Sequence, residues 1–335
     1  MSSISVNRNG AIGELVLNND KTLNALTHAD INALQQGLTA HQADPEVHAI
    51  VIHSKSDRAF CAGGDMKQVR DYILAERFDD IHAFFTDEYA LNKAIASCTK
   101  PYIALMHGIA MGGGLGISVH GDVRIVTETS VLAMPESRIG FFADVGASYF
   151  LPRLPQRAGW WLSLTAASVK GHEAVQVGLA THFVHSDKRG ELIDSLNKAL
   201  QALPDPSPEL INTVTHEVLD QYTTQTPDNG FDHIMKKRQT WFADNNLDAI
   251  KKRLESSVQQ GDEDAAHLQH LLDTGSPYSA QISLQLLADA TGRTLEECLA
   301  LELALGEQAV RYPDCAEGVR AVLVDKDRKP AWQPL

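Results

Sequence analysis

The sequence predicts an α/β protein in which short strands and helices alternate in layers over the first half, with a helical region after them. Three observations carry this. Short apolar runs lead into glycine clusters, amphipathic stretches separate those runs, and the strand signal disappears beyond about residue 190.

Taken in order, Glu14–Leu17 reads as a strand, and Thr27 stands where a cap belongs, ahead of Ile31, Leu34 and Leu38 at helical spacing. Ala49–His53 returns to a strand. The turn Phe60-Cys61-Ala62-Gly63-Gly64-Asp65 follows, then helical patterns over Met66–Leu74 and Ile81–Ile95. The succession repeats from Pro101–Met106 into His107-Gly108-Ile109-Ala110-Met111-Gly112-Gly113-Gly114, a helix to about Val119, and strands over Val123–Val126 and Val131–Met134. Glu191–Leu203, Leu247–Leu254 and Ser279–Ala290 are helical in pattern, and Pro204, Pro206 and Pro208 punctuate the change. This divides the chain into an α/β core over 1–190 and a helical region over 191–335 packing on it. No internal repeat at a fixed period is present.

With 335 residues and 44% hydrophobic content the chain can bury a large core. Its net charge of −14 argues against a general nucleic-acid or membrane-surface binder, since both need a basic face. No apolar run approaches the roughly 20 residues that cross a bilayer, and the start carries neither a signal h-region nor an Arg-rich leader, so a cytoplasmic protein is expected. Cys61, Cys98, Cys298 and Cys315 show no C-x-x-C pair and no zinc spacing, which reads as thiols in a reducing compartment.

Both glycine clusters sit where a buried strand hands over to a helix. A helix start has unsatisfied N–H donors and a positive dipole end, and glycines let a ligand reach them. Two such turns facing one another could hold one carbonyl oxygen as it becomes negative. Neither is a dinucleotide fingerprint, because position 117 is isoleucine, and no phosphate-binding G-x-x-x-x-G-K-[ST] occurs. Glu136 and Asp144 flank a glycine-rich aromatic turn; the spacing suits a carboxylate pair converging on an apolar pocket, and equally a surface pair beside a loop. Ser118 falls one residue short of a nucleophile elbow because position 120 is histidine. His107, His120 and Asp122 suit the edge of a core better than a catalytic couple. His267 and His270 lack an acidic third ligand and His216-Glu217 lacks a second histidine, so no metal is assigned.

The chain resembles the crotonase (enoyl-CoA hydratase/isomerase) superfamily and, within it, the branch of 3-hydroxyisobutyryl-CoA hydrolases. The likeness runs through Leu23-Asn24-Ala25-Leu26-Thr27, Ala59 to Asp65, Glu88-Tyr89-Ala90-Leu91-Asn92, Met111 to Gly114, Ser118 to Gly121, Ala133 to Glu136, Asp144-Val145-Gly146, Tyr149 to Leu154 and Glu317 to Asp327. It implies a fold of repeated ββα units with a helical C-terminal region. It also implies that a thioester oxygen sits between the N–H groups of Gly64 and Gly113, in an oxyanion hole where one lost donor costs about 100- to 1000-fold in rate. Ala62 and Gly63 of the first turn would line the substrate.

In similar hydratases one glutamate lies three residues beyond the oxyanion glycine, where this chain has Gly116, and a second follows a downstream proline, here Glu136. The hydrolase branch pairs that second glutamate with an aspartate, and Asp144 stands at the matching position. Glu88 matches a contact to the acyl hydroxyl, the plain alternative being a surface acid. Ala143 and Ala147 replace a proline and a glycine of the hydrolase pattern, which bears on loop rigidity and acyl-pocket size. The expected reaction is therefore hydrolysis of a short branched 3-hydroxyacyl-CoA such as 3-hydroxyisobutyryl-CoA, as in valine catabolism, with coenzyme A as part of the substrate and no further cofactor. Enoyl-CoA hydration or isomerisation, and acyl-CoA binding without turnover, are the competing readings. Lys55, Arg58 and Lys67 are candidate partners for the CoA phosphates, and homo-oligomers are common in the superfamily.

Overall fold

The structure, a computed structural model, describes residues 2–225 and 229–335; residues 1 and 226–228, which fall within the two ranges expected from sequence, lie outside the described residues. By contact the chain groups into two discontinuous units: Met1–Gly64, Ala90–Leu132 and Val169–Asp228 in the first, and Asp65–Tyr89, Ala133–Ser168 and Asn229–Leu335 in the second. That grouping differs from a single cut at residue 190, and the reason is packing. Leu192, Leu196 and Leu200 of the helix Arg189–Gln201, with Val218 and Leu219 of the helix Pro208–Tyr222, share one apolar cluster with Val51, Ile103, Leu105 and Ile125 of the strands. These helices cover a sheet face that water would otherwise reach. The prolines at 204–208 connect two helices of one unit, and Pro208 opens the second at a position where its missing N–H is no loss.

Strands β1 (Ile4–Asn9), β2 (Ile12–Leu17), β3 (Ala49–Ser54), β4 (Ala59–Cys61), β5 (Tyr102–Met106), β6 (Ile109–Met111), β7 (Val123–Val126), β8 (Val131–Ala133), β9 (Val169–Lys170) and β10 (His182–Phe183) form two sheets. The larger has the order β1-β2-β3-β5-β7-β10, the smaller β4-β6-β8-β9. The pairs β3/β4, β5/β6 and β7/β8 each give a first strand to the large sheet and a next, shorter strand to the small one, which is the ββα pattern. β3 and β5 are almost wholly buried apolar runs in parallel pairing, as strands covered on both faces must be. β4, β6 and β9, of three, three and two residues, are too short to show an alternating pattern in sequence.

The small sheet positions the glycine turns. β4 pairs parallel with β6, so the turn after each emerges at the same edge. A Cβ on Gly63, at φ +107°, would lie 3.1 Å from the Met111 oxygen and 3.5 Å from the Gly113 nitrogen. One on Gly114 would lie 2.4 Å from the Cys61 oxygen. What approaches the triple glycine most closely is thus the first turn itself. Asn24 fastens that turn from behind: its Nδ2 donates to Ser54 Oγ at 2.7 Å and to the Phe60 oxygen at 2.9 Å, while Leu26 N–H donates to the Gly63 oxygen at 2.8 Å. The helix after the second turn is only Gly113–Gly116, shorter than the run to Val119 expected from sequence, because three glycines in four residues give a helix little to propagate with.

The second unit is mainly helical. Met66–Leu74 has the bounds read from sequence, and Phe78–Ala96, whose first turns belong here, extends the expected span at both ends. Ala158–Thr165 is buried along its whole length, and the Arg238–Asp264 ion pair lies against it with the guanidinium 4.4 Å from the Trp161 ring centre. The loop after Glu136 seats on the helix Pro313–Val319: a Cβ on Gly140, at φ +72°, would meet the Asp314 oxygen at 2.1 Å.

Replacing Gly114 with alanine forces the two glycine turns apart. Gly114→Ala is expected to lose about 1–3 kcal/mol of stability, the usual range for overpacking. A urea midpoint equal to that of the parent protein would refute the account.

Candidate active site

Within the first unit lie the candidate backbone donors. Gly112, at φ +50° and ψ −121°, turns the chain so that Gly113 becomes the first helical residue, whose N–H has no acceptor within a helix. Gly64 forms a parallel bridge with Leu26, and the residue after it, Asp65, caps the helix Met66–Leu74 by accepting the Gln68 N–H at 3.3 Å. Ala62, expected to line the substrate, already donates its N–H to the Leu23 oxygen at 2.9 Å, so only its carbonyl and methyl remain for that task.

Within the second unit lie the candidate acids. Ile81, Phe84, Phe85, Glu88 and Tyr89 recur at helical spacing on the buried stripe of Phe78–Ala96, which puts Glu88 inside. Asn92, on the same stripe, is fully buried with both amide atoms lacking a hydrogen-bond partner among the described residues. Glu136 opens a single 3₁₀ turn, Glu136–Ile139, directly after Pro135. Glu136 is 6% exposed and Asp144 5%, so the surface-pair alternative fails. Tyr89 donates its hydroxyl to Asp144 Oδ2 at 2.8 Å. Beside these groups Phe85 stacks on Phe141 at 5.5 Å between ring centres, and Phe141 on Phe142 at 4.5 Å, walls that offer no polar atom.

Low polarity and mutual repulsion set the electrostatics. Burial, then the Asp144 carboxylate, push Glu136 well above the ordinary carboxylate range, with Glu88 and Glu302 adding to the effect. Glu88 is raised by burial and by Asp144. Asp144 is pushed up to about 7 by burial, while the Tyr89 hydroxyl pulls the other way. One oxygen of Glu88 and one of Glu136 are buried without a hydrogen-bond partner among the described residues. A buried acceptor left unmade costs about 1–3 kcal/mol, which is tolerated where an arriving ligand brings the donor.

Two members of this cluster were not read from the sequence. Tyr89 was visible only as the neighbour of Glu88. Glu302, on the helix Leu295–Ala309, is fully buried and accepts from Gly146 N–H at 2.7 Å, Ser148 N–H at 2.8 Å and the Ser148 hydroxyl. Burial first, and Asp144 next, push Glu302 up to about 8 against the pull of those donors. The signal was an acid on an apolar stripe: Cys298, Glu302, Gly306 and Ala309 share the buried face.

The remaining candidates resolve as structure. Ser118 donates its hydroxyl to the Gly114 and Leu115 oxygens, and His107 Nε2 meets the Ser56 oxygen at 2.6 Å. Asp122 accepts the Tyr102 N–H at 3.3 Å. Among the described residues no group of three or more His, Cys, Asp or Glu is placed to hold a metal, no cysteine is in a disulfide, and no helix is long and apolar enough to cross a membrane. Lys55 and Arg58 are exposed and line one groove of about 340 Å³ with Asn18, Asp20, Ser56 and Asp57; Lys67 is exposed on its helix.

A family model described as enoyl-CoA hydratase/isomerase matches residues 12–335. The chain is 40% identical over 336 residues to "3-hydroxyisobutyryl-CoA hydrolase, mitochondrial" of Homo sapiens, covering 99% of this chain and 84% of that protein. It is 37% identical to the protein of the same name from Danio rerio, over 99% and 85%. Among solved structures it resembles a carnitinyl-CoA dehydratase from Mycobacterium thermoresistibile, with a TM-score of 0.88, 30% identity and coverage of 98% and 91%. An enoyl-CoA hydratase from Rhodobacter sphaeroides 2.4.1 gives a TM-score of 0.88, 32% identity and coverage of 99% and 93%. The mitochondrial location belongs to the relatives' names and lends no support to the cytoplasmic expectation. With repeated ββα units, a helical C-terminal region and a match along nearly its whole length, this chain belongs to the crotonase, or enoyl-CoA hydratase/isomerase, family.

Proposed function

We propose that the protein hydrolyses a short branched 3-hydroxyacyl-CoA thioester, 3-hydroxyisobutyryl-CoA being the best candidate, to the free hydroxy acid and CoA. The observation that carries this reading is Gly116. It lies buried in the helical turn Gly113–Gly116, where a paired-glutamate hydratase needs a carboxylate, while Asp144 is buried and held by Tyr89. The names of the curated relatives support it.

In this mechanism the Gly64 and Gly113 amides receive the thioester oxygen and stabilise the oxyanion as it forms. Glu136 attacks the carbonyl carbon, forming an anhydride as the C–S bond breaks and CoA leaves as thiolate, or it removes a proton from water that attacks instead. In the first route water then cleaves the anhydride and regenerates the carboxylate. Asp144, poised near neutrality, orients the water or the substrate hydroxyl, and Glu88 accepts from that hydroxyl. Lys55 and Arg58 take the CoA phosphates.

A panel of acyl-CoA thioesters, followed for free thiol and for enoyl absorbance, tests the reading. Thiol release from 3-hydroxyacyl-CoA, reduced at least about 1000-fold in Glu136→Gln, is expected. Loss of enoyl absorbance without thiol release would instead make the protein a hydratase, and binding without either would make it an idle acyl-CoA binder. Because Glu136 must be ionised and burial and Asp144 raise its pKa, kcat/KM is expected to rise with pH along an acid limb that lies above the ordinary carboxylate range. An acid limb near pH 4 would contradict the buried cluster. Carboxyls raised in the fold bind more protons folded than unfolded, so the stability they contribute is lost as pH rises above the unfolded value. Glu136→Gln should therefore raise the melting temperature at pH 8, on the order of 2 °C, while removing activity; a lower melting temperature would count against it.

A further inference from the structure

The sequence after Asp144 is an awkward piece of backbone. Val145 sits at φ +55°, a conformation a β-branched residue rarely adopts, and Gly146 follows at φ +82° as the cap of the single helical turn Ala147–Phe150. Two left-handed residues in succession swing the chain sharply, and that swing sets the direction from which Asp144 leaves the backbone. Such a turn persists only when its surroundings over-determine it. Within the turn, Ala147 N–H donates to the Asp144 oxygen at 2.9 Å. Its start is also gripped by Glu302, more than 150 residues later in the chain, through both carboxylate oxygens and three donors: Gly146 N–H, Ser148 N–H and the Ser148 hydroxyl.

We propose that Glu302 is the positioning residue of the site, holding Asp144 in its working direction by gripping the strained turn behind it. A buried carboxyl on an apolar helix stripe is an expensive way to fill space, since leucine of similar size would need no partner there. What leucine cannot do is accept three hydrogen bonds at once from the first turn of a helix. Glu302 does not touch the reacting thioester; it acts through Asp144, which in turn receives the Tyr89 hydroxyl on Oδ2. Asp144 is thus held from two sides, by a phenol on its own oxygen and by a carboxylate on the turn that follows it, at Gly146 and Ser148.

The inference rests on the hydrolase reading, and the experiment separates the two. Thiol release by the wild-type protein is the first measurement, and its absence sinks the hydrolase reading whatever Glu302 does. Glu302→Gln keeps the volume but turns an amide NH₂ toward one of the donors, so the grip is broken on one side. With rates expressed per folded molecule, kcat is expected to fall about 10- to 100-fold with KM within about twofold of wild type, the signature of a misplaced group rather than lost binding. Ser148→Ala removes only the hydroxyl donor and is expected to lower kcat about 2- to 10-fold with KM again unchanged. A wild-type kcat per folded molecule in Glu302→Gln, or a KM rising in step with the loss of kcat, overturns the proposal. If Glu302→Gln does not fold, Ser148→Ala decides it, and a wild-type kcat there overturns it equally.

Discussion

Four carboxyl groups share a surrounding with little water and few compensating charges, and much of this molecule is arranged around that fact. Glu88, Glu136, Asp144 and Glu302 are all buried, and repulsion from Asp144 is part of what lifts the pKa values of the other three. A fold does not hold such a set by accident. The aromatic wall of Phe85, Phe141 and Phe142 keeps the surrounding dry, while Tyr89 and the amides of Gly146 and Ser148 relieve part of the penalty. What is not relieved is kept as reactivity: a carboxylate poorly solvated and short of donors is a better base and a better nucleophile than one in water.

Fold likeness alone would not have chosen the reaction. The solved structures that this chain resembles at a TM-score of 0.88 carry the names of a dehydratase and a hydratase, and the curated relatives that of a hydrolase. One fold carries all of these names, so on the proposed reading the choice falls to side chains placed on it. Gly116 and Asp144 are the two positions on which the proposed hydrolase reading turns.

The local chemistry of the turns was readable from sequence because it depends on neighbours. Glycine after an apolar run and Thr27 ahead of a helical pattern each announce a backbone conformation within a few residues. Thr27 indeed forms a full capping box with Asp30. In the second sheet β4, β6 and β9 were not readable, since two or three residues carry no period, and β1 was hidden by its half-exposed polar positions. Burial of Glu136 and Asp144 could not be decided from spacing, because the same spacing fits a surface loop. Glu302 was hardest of all: its partners are defined only by the tertiary fold, and its one trace in sequence is an acid where an apolar residue belongs.

The seating of Gly140 against Asp314 reaches further than the turn it closes. Asp314 is itself buried, accepting from the Ser276 hydroxyl at 2.6 Å on one oxygen and from the Gln333 N–H at 2.9 Å on the other. Nearby, Glu317 takes the Ala331 N–H at 2.8 Å, and Trp332 donates its indole N–H to the Thr274 oxygen at 3.2 Å. The final stretch of chain is therefore a latch on the ledge that carries Glu136. Damage to it, by clipping or by a bulky fusion, would present as a fault in the chemistry, although no reacting group lies within it.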